Sequence, residues 1–568
     1  MNSRQRWRLR FVLVIIIAIA VALGTSLYWT QIIQGSSYAA RAEKQYVKPS
    51  VTLFDRGTIY FQSNDGTRIT AATVAAGYVV YMNPTLVTAP EDAYQVLSQY
   101  IKLDRADFLR RAKKPNDHYE ELARRIDEVV ANNIQSLGIV GINTAKETWR
   151  SYPGNTMESH TLGLIGENAS SSIEGRYGLE RSYEPVLTRP NISSSINTFA
   201  QIFGGNDNNS SSKLYGDIVT TLEPKVDAYV DSVLGKTKAD WHPDEIGAIV
   251  MDPQTGEIIA SSLLPSYDPN NTSAVKDVGV LSNALIEHVY EMGSIMKPLT
   301  MATGLDAGVI KPDSTYKDTG TMTLNGKKIS NYDGKARGVI PMQQILSQSL
   351  NIGAATIALK VGAKDMLSYF TSFGLDKKTG IDLPNEASGL TKNLSSGHDI
   401  DIATASYGQG IAVSPIEMIR ALAVLANGGF LVTPHVVKEI DYTDGSKKMV
   451  DESKTGPVLK AQTVSDVTDM LVKVVDISLR NGTIKREHYT VAAKTGTAQI
   501  PDHVSGGYYT DRYLHSFFGY FPAHDPKFIV FLYQIYPRGA QYASETLTEP
   551  FDEITTFLIN YYNIPPDR

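Results

Sequence analysis

The sequence predicts an α/β chain: one N-terminal apolar helix, an elongated mixed α/β segment, and a large α+β domain on a mainly antiparallel sheet. Three observations predict this. Residues 11–29 carry no charge. A Ser-, Asn- and Gly-rich stretch at 191–213 separates two textures of sequence. After it come a strand hairpin, several helical stretches and several consecutive strands, the order of an α/β domain with a mainly antiparallel sheet.

Arg4, Arg6, Arg8 and Arg10 precede the run Phe11–Trp29. Nineteen residues at about 1.5 Å each match a bilayer core of about 30 Å. Tyr28 and Trp29 suit the far interface and the arginines the cytoplasmic side. The small-residue triplet Ala20-Val21-Ala22, which a cleaved signal would need at its end, lies inside the run. The reading is a cytoplasmic tail (1–10), a retained anchor (11–29) in the cytoplasmic membrane, and an ectodomain divided into 30–215 and 216–568.

Composition is ordinary for a globular chain, 42% hydrophobic and 20% charged over 568 residues, and sufficient for a real core. A net charge of -6 argues against a nucleic-acid binder. With no cysteine there are neither disulfides nor thiolate metal sites. In 30–215, residues 106–132 mix charged and apolar side chains at helical spacing and predict one solvated helix. His118 and His160 have no partners at metal-ligand spacing, so no metal site is expected.

In the larger domain, 247–252 and 257–261 around Pro253-Gln254-Thr255-Gly256 predict a hairpin. Helices are expected at 294–307, 341–361 and 415–426, strands at 489–493, 515–521 and 528–536, and a last helix at 551–562.

Three motifs carry the chemistry. In Glu291-Met-Gly-Ser-Ile-Met-Lys297, a serine stands three residues before a lysine. On a helix these share a face, so a neutral Lys297 amine can serve as base for Ser294. The spacing recurs at Ser210/Lys213, Ser273/Lys276 and Ser314/Lys317, and does not select Ser294 alone. Ser349-Leu-Asn351 offers a hydroxyl and a carboxamide that can relay a proton and hold an amide, or simply cap a helix. Lys494-Thr495-Gly496-Thr497 follows an expected strand. A cation there can bind a carboxylate and help keep Lys297 neutral by like-charge repulsion. Gly496 permits close approach, and the N–H of Thr497 can join that of Ser294 as an oxyanion donor. Lys-Thr-Gly also occurs at 378–380 and 454–456, but only the third copy follows a strand.

The ordered set S-x-x-K, S-x-N, K-T-G-T is a signature of penicillin-interacting serine enzymes. The chain resembles class B penicillin-binding proteins, the single-pass transpeptidases that cross-link peptidoglycan. Further likenesses lie in Asp55-Arg-Gly-Thr-Ile59, Arg150-Ser-Tyr-Pro-Gly154, His160-Thr-Leu-Gly163, Gly178-Leu-Glu-Arg181, Tyr407-Gly-Gln-Gly410, Val413-Ser-Pro415 and Phe521-Pro-Ala523. Met292 stands where a proline is common, and the segment after Ile59 is altered.

The resemblance implies a penicillin-binding/β-lactamase-like transpeptidase domain behind a non-catalytic, dimerisation-like pedestal. It implies that Ser294 attacks a D-Ala-D-Ala stem peptide with Lys297 as base. Ser349 and Asn351 would shuttle the proton, while Lys494, Thr495 and Thr497 bind the carboxylate. An amine from a second stem peptide resolves the acyl-enzyme, and β-lactams acylate the same serine. No cofactor is implied; a membrane glycosyltransferase and division proteins are the implied partners. The contexts of Ser294 and Ser349 look closer to division-type members. The rivals are a D,D-carboxypeptidase or serine β-lactamase, and a non-catalytic β-lactam-binding scaffold or sensor. Against the lactamase, Glu386, Glu417, Glu439 and Glu452 have no Asn four residues on. Against the sensor, every chemically required residue is present.

Overall fold

The computed structural model describes residues 3–34, 55–169, 172–189, 214–502 and 504–568, so the expected linker at 191–213 lies outside the described residues. Helix α1 spans Ser3–Tyr28, and Leu13, Val14, Ile16, Val21, Leu23 and Leu27 on it are exposed. Among the described residues no helix is long and apolar enough to cross a membrane. The side chains of Phe11 and Val12, where the expected anchor begins, lie outside the description.

The chain forms two compact units, residues 1–54 with 74–149, and 55–73 with 150–568. Strand β1 is Ile59–Gln62. Strand β2, Arg68–Met82, contributes residues to both units. The first unit continues with α2 (Pro90–Leu97), α3 (Arg105–Ala112), β3 (Glu120–Ile126), α4 (Glu128–Ser136) and most of β4 (Ile142–Ser151). Val80, Met82, Leu97, Phe108, Ile134 and Ile142 share its core.

The single helix expected over 106–132 is not formed. The chain turns after Pro115, with Asn116 at φ 58°, and residues 120–126 pair antiparallel with β2. Asp127 then starts a new helix by accepting from the Val130 N–H at 3.0 Å. Charged residues spaced three or four apart fit either structure when one face is solvated, and here strand pairing prevails.

In the second unit, Arg56, Arg150 and Glu180, which stand in three of the family-like motifs, meet. The Glu180 carboxylate accepts from Arg56 Nε at 2.5 Å and Arg150 Nε at 2.6 Å, with all three side chains buried. Arg150 Nη1 also donates to the Gly57 carbonyl at 2.8 Å. A carboxylate between two guanidiniums can be removed only by leaving buried charge uncompensated. Glu180→Ala is therefore expected to cost about 3–5 kcal/mol, read as a shift in urea midpoint. The lower figure is favoured because Arg56 keeps Glu184 at 2.8 Å.

The sheet of this unit uses β5 (Glu245–Met251), β6 (Ile258–Leu264), β7 (Ala492–Pro501), β8 (Tyr508–Phe521) and β9 (Phe528–Ile535). Its order is β6-β5-β9-β8-β7, every neighbouring pair antiparallel, as the sequence predicts. Helix α5 (Pro224–Trp241) and α6 (Lys297–Asp306) precede two short helices, α7 (Gln343–Ser347) and α8 (Asn351–Val361). Then come α9 (Pro415–Ala423), α10 (Ala461–Lys473) and α11 (Thr548–Tyr561). Helix α11 stacks Phe551 on Phe517 of the sheet at 4.5 Å and Phe557 on Tyr229 of α5 at 4.1 Å. Strand β7 ends the sheet, and its outer edge faces the start of α6: a Cβ at Gly293 would stand 3.0 Å from the Thr497 carbonyl.

Candidate active site

Ser294 lies in one tight turn, Gly293–Met296, that runs directly into α6. Gly293, at φ 64°, supplies the left-handed residue that lets the chain enter this turn. The i, i+3 spacing places Lys297 Nζ 2.8 Å from Ser294 Oγ. The same nitrogen lies 2.7 Å from the Ser349 carbonyl, 3.1 Å from Ser349 Oγ and 2.8 Å from Asn351 Oδ1. Lys297 is 1% exposed and, among the described residues, has no carboxylate partner. Burial, reinforced by the charge of Lys494, holds its amine well below the usual lysine range.

Ser349 and Asn351 come from a break in the helix expected over 341–361. Helix α7 ends at Ser347, α8 begins at Asn351, and Ser349 takes φ 55°. That break turns the Ser349 carbonyl and hydroxyl toward Lys297. Asn351 is fixed from its other end, its Nδ2 donating to the Ser330 carbonyl at 2.9 Å.

The third motif lies within β7 rather than after a strand at 489–493. Alternation along the strand gives Thr495, Thr497 and Gln499 the cleft face, each half-buried, while Lys494 and Gly496 are buried. Lys494 Nζ donates to the Thr495 carbonyl at 2.8 Å and lies 3.2 Å from Ser349 Oγ. Burial lowers its amine to about 7. Thr497 Oγ1 accepts from the Ala543 N–H at 3.0 Å, which leaves its own proton free to donate. A Cβ at Gly496 would stand 2.7 Å from the Met292 carbonyl and 2.3 Å from Ser516 Oγ, so close approach at this glycine serves packing against the segment that carries Ser294.

All three motifs line one open cleft of about 890 Å³, with Tyr332, Tyr407, Tyr508 and Tyr542 among its walls. The other motif copies are elsewhere engaged. Thr379 is buried and bonds Glu386, Lys454–Thr455 forms a short exposed strand, and the hydroxyls of Ser273 and Ser314 bond Asn271 and the Lys311 N–H. Ser210/Lys213 lies outside the described residues.

Sequence reasoning missed Glu291 and Tyr508, and named Gly408 within Tyr407-Gly-Gln-Gly410 without giving it a role. Gly408, at φ 80°, packs so tightly that a Cβ there would stand 2.2 Å from the Gly293 carbonyl. The glycines of Tyr407-Gly-Gln-Gly410 are a readable signal; nothing local marks Tyr508.

Comparison with known proteins identifies the family. Residues 246–555 match the penicillin binding protein transpeptidase domain, and residues 54–199 the penicillin-binding protein dimerisation domain. Stage V sporulation protein D of Bacillus subtilis is 28% identical over 562 residues, 97% of this chain and 84% of that one. Peptidoglycan D,D-transpeptidase FtsI of Buchnera aphidicola is 25% identical over 560 residues, 95% of this chain and 93% of that one. The fold is that of penicillin binding protein 2X from Streptococcus thermophilus, with TM-score 0.72 and 22% identity, covering 90% of this chain and 81% of that one. With a serine, two buried lysines and an edge strand arranged as described, and a family model spanning more than half its length, the chain belongs to the penicillin-binding protein transpeptidase family.

Proposed function

We propose that the protein is a peptidoglycan D,D-transpeptidase of the division type, acting through a Ser294 acyl-enzyme and acylated there by β-lactams. One observation carries this reading: the bonding of Lys297. A neutral amine has two N–H donors and one lone pair. The Ser349 carbonyl and Asn351 Oδ1 can only accept, at 2.7 and 2.8 Å, and so take both donors. The lone pair is left for the Ser294 O–H at 2.8 Å.

Ser294 attacks the penultimate D-alanine carbonyl as its proton passes to Lys297. The oxyanion is held by the backbone N–H groups of Ser294 and Thr497. Ser349, between the two amines, returns the proton to the leaving D-alanine nitrogen. Lys494 with the Thr495 and Thr497 hydroxyls holds the terminal carboxylate, whose charge favours the ammonium form of Lys494. An amine of a second stem peptide then displaces Ser294.

The same reading divides the chain into a pedestal, 30–215, and a transpeptidase domain, 216–568. Residues 11–29 anchor it in the cytoplasmic membrane with the N-terminus inside, in contact with a membrane glycosyltransferase and division proteins. The exposed apolar side chains of α1 support the anchor. The named relatives support the wall-building role.

The test is to react the purified ectodomain with a fluorescent penicillin, map the adduct, and follow its lifetime. An adduct on the Ser294 peptide that persists for many minutes is expected. No adduct sinks the reading, and turnover within seconds favours a hydrolase.

A further inference from the structure

Glu291 stands three residues before Ser294 and bonds two residues of the cleft wall, Gly410 and Tyr508, that the mechanism above does not use. Its segment docks on 408–413 in a short ladder. Tyr290 and Val413 exchange both backbone bonds, at 2.9 and 3.0 Å, and the Gly293 N–H donates to the Gly408 carbonyl at 3.1 Å. The Glu291 side chain extends this join, Oε1 accepting from the Gly410 N–H at 3.0 Å. It also reaches a third segment: the Tyr508 hydroxyl lies 3.1 Å from Oε1 and 3.0 Å from Oε2. Tyr508 opens β8, immediately after the turn that follows β7, the strand bearing Lys494–Thr497. Among the described residues no cation pairs with Glu291, so its bonding is to this phenol and this amide alone.

The proposed acyl transfer needs two backbone donors from separate segments, Ser294 N–H from the nucleophile turn and Thr497 N–H from β7. Their separation must be held closely for both to reach one oxyanion. At the motif itself the two segments meet through packing at Gly293 and Gly496 and through the Ser516 hydroxyl, which donates to the Met292 carbonyl at 2.8 Å. Toward the turn end of the hairpin, where Tyr508 pairs with Pro501, Glu291–Tyr508 is a tie that joins the nucleophile segment to it.

We propose that Glu291 and Tyr508 form a clasp that fixes the spacing between the nucleophile turn and the β7–β8 hairpin, making both positioning residues for the oxyanion donors. The inference rests on the transpeptidase reading. Neither side chain touches the reacting atoms. The clasp governs steps that pass through an oxyanion, formation of the acyl-enzyme and its breakdown alike, and leaves the first binding of ligand unchanged.

The experiment measures saturating acylation rate, pre-acylation binding constant, slow hydrolysis of the penicilloyl-enzyme and melting temperature for the whole chain. The variants are Tyr508→Phe, Glu291→Ala and Glu291→Gln. In the first two, acylation and hydrolysis are expected to fall by similar factors of about ten, short of the hundredfold or more that follows outright loss of an oxyanion donor. Binding and melting temperature stay at wild-type values, and Glu291→Gln, which keeps an acceptor oxygen, restores most of both rates. Unchanged rates in Tyr508→Phe overturn the clasp. So does a change confined to the binding constant, which makes Tyr508 a ligand contact, or a fall in melting temperature that accounts for the rate loss. A wild-type chain that takes no penicillin fails the transpeptidase reading instead, a result distinct from all of these.

Discussion

Ser294→Ala is expected to abolish covalent labelling by penicillin, a loss on the order of 10⁶-fold, with melting temperature unchanged because the hydroxyl is half-buried and, among the described residues, bonds only Lys297. The prediction is sharp because two hydroxyls touch Lys297 Nζ, the proposed base, Ser294 Oγ at 2.8 Å and Ser349 Oγ at 3.1 Å. Ser349 also lies 3.2 Å from Lys494 Nζ. A hydroxyl between two amines is placed to pass a proton between them. Ser294 differs: it opens a helix, its own N–H faces the cleft edge of β7 in the proposed geometry, and one amine alone contacts it. Fluorescent penicillin on a denaturing gel reads the result. Labelling that survives Ser294→Ala and disappears only with Ser349→Ala would exchange the two roles.

The sequence carried the local half of this site. Ser294 and Lys297 meet because i and i+3 share a face. The third Lys-Thr-Gly is distinguished from the copies at 378 and 454 by lying on a long strand, which β-rich flanks make readable. What was illegible is set by contacts between distant segments. No local signal gives a serine φ 55°, so 341–361 reads as one helix; the break at Ser349 is imposed by the bonds its carbonyl and hydroxyl make to Lys297, more than fifty residues earlier. Glu291 and Tyr508 are 217 residues apart, and the family-like Tyr407-Gly-Gln-Gly410 acquires a reason only when Gly408 is seen against Gly293. The error at 106–132 has the opposite cause. Its charge spacing is real, as the Arg124–Glu121 pair at 2.6 Å shows, but exposed charges do not specify backbone, and pairing to β2 decided it.

Lys297→Met is expected to lower the acylation rate by about 10²–10⁴-fold, the usual contribution of a positioned base, and Lys297→Arg to fare no better, because a guanidinium stays protonated. The pH dependence tests why the lysine works. A base must be neutral, and burial first and the nearby charge of Lys494 second push Lys297 toward that form. Acylation therefore falls as pH drops and the amines take up a proton. Because they interact, the acid limb belongs to the pair rather than to either residue. Lys494→Met removes the like charge while keeping the packing, so Lys297 holds its proton to higher pH. The acid limb of acylation against pH, measured by stopped-flow with a chromogenic β-lactam, should then move upward. A limb that moves downward or stays in place would mean that Lys494 does not act on Lys297 through its charge. In that case the second lysine would serve the substrate carboxylate alone.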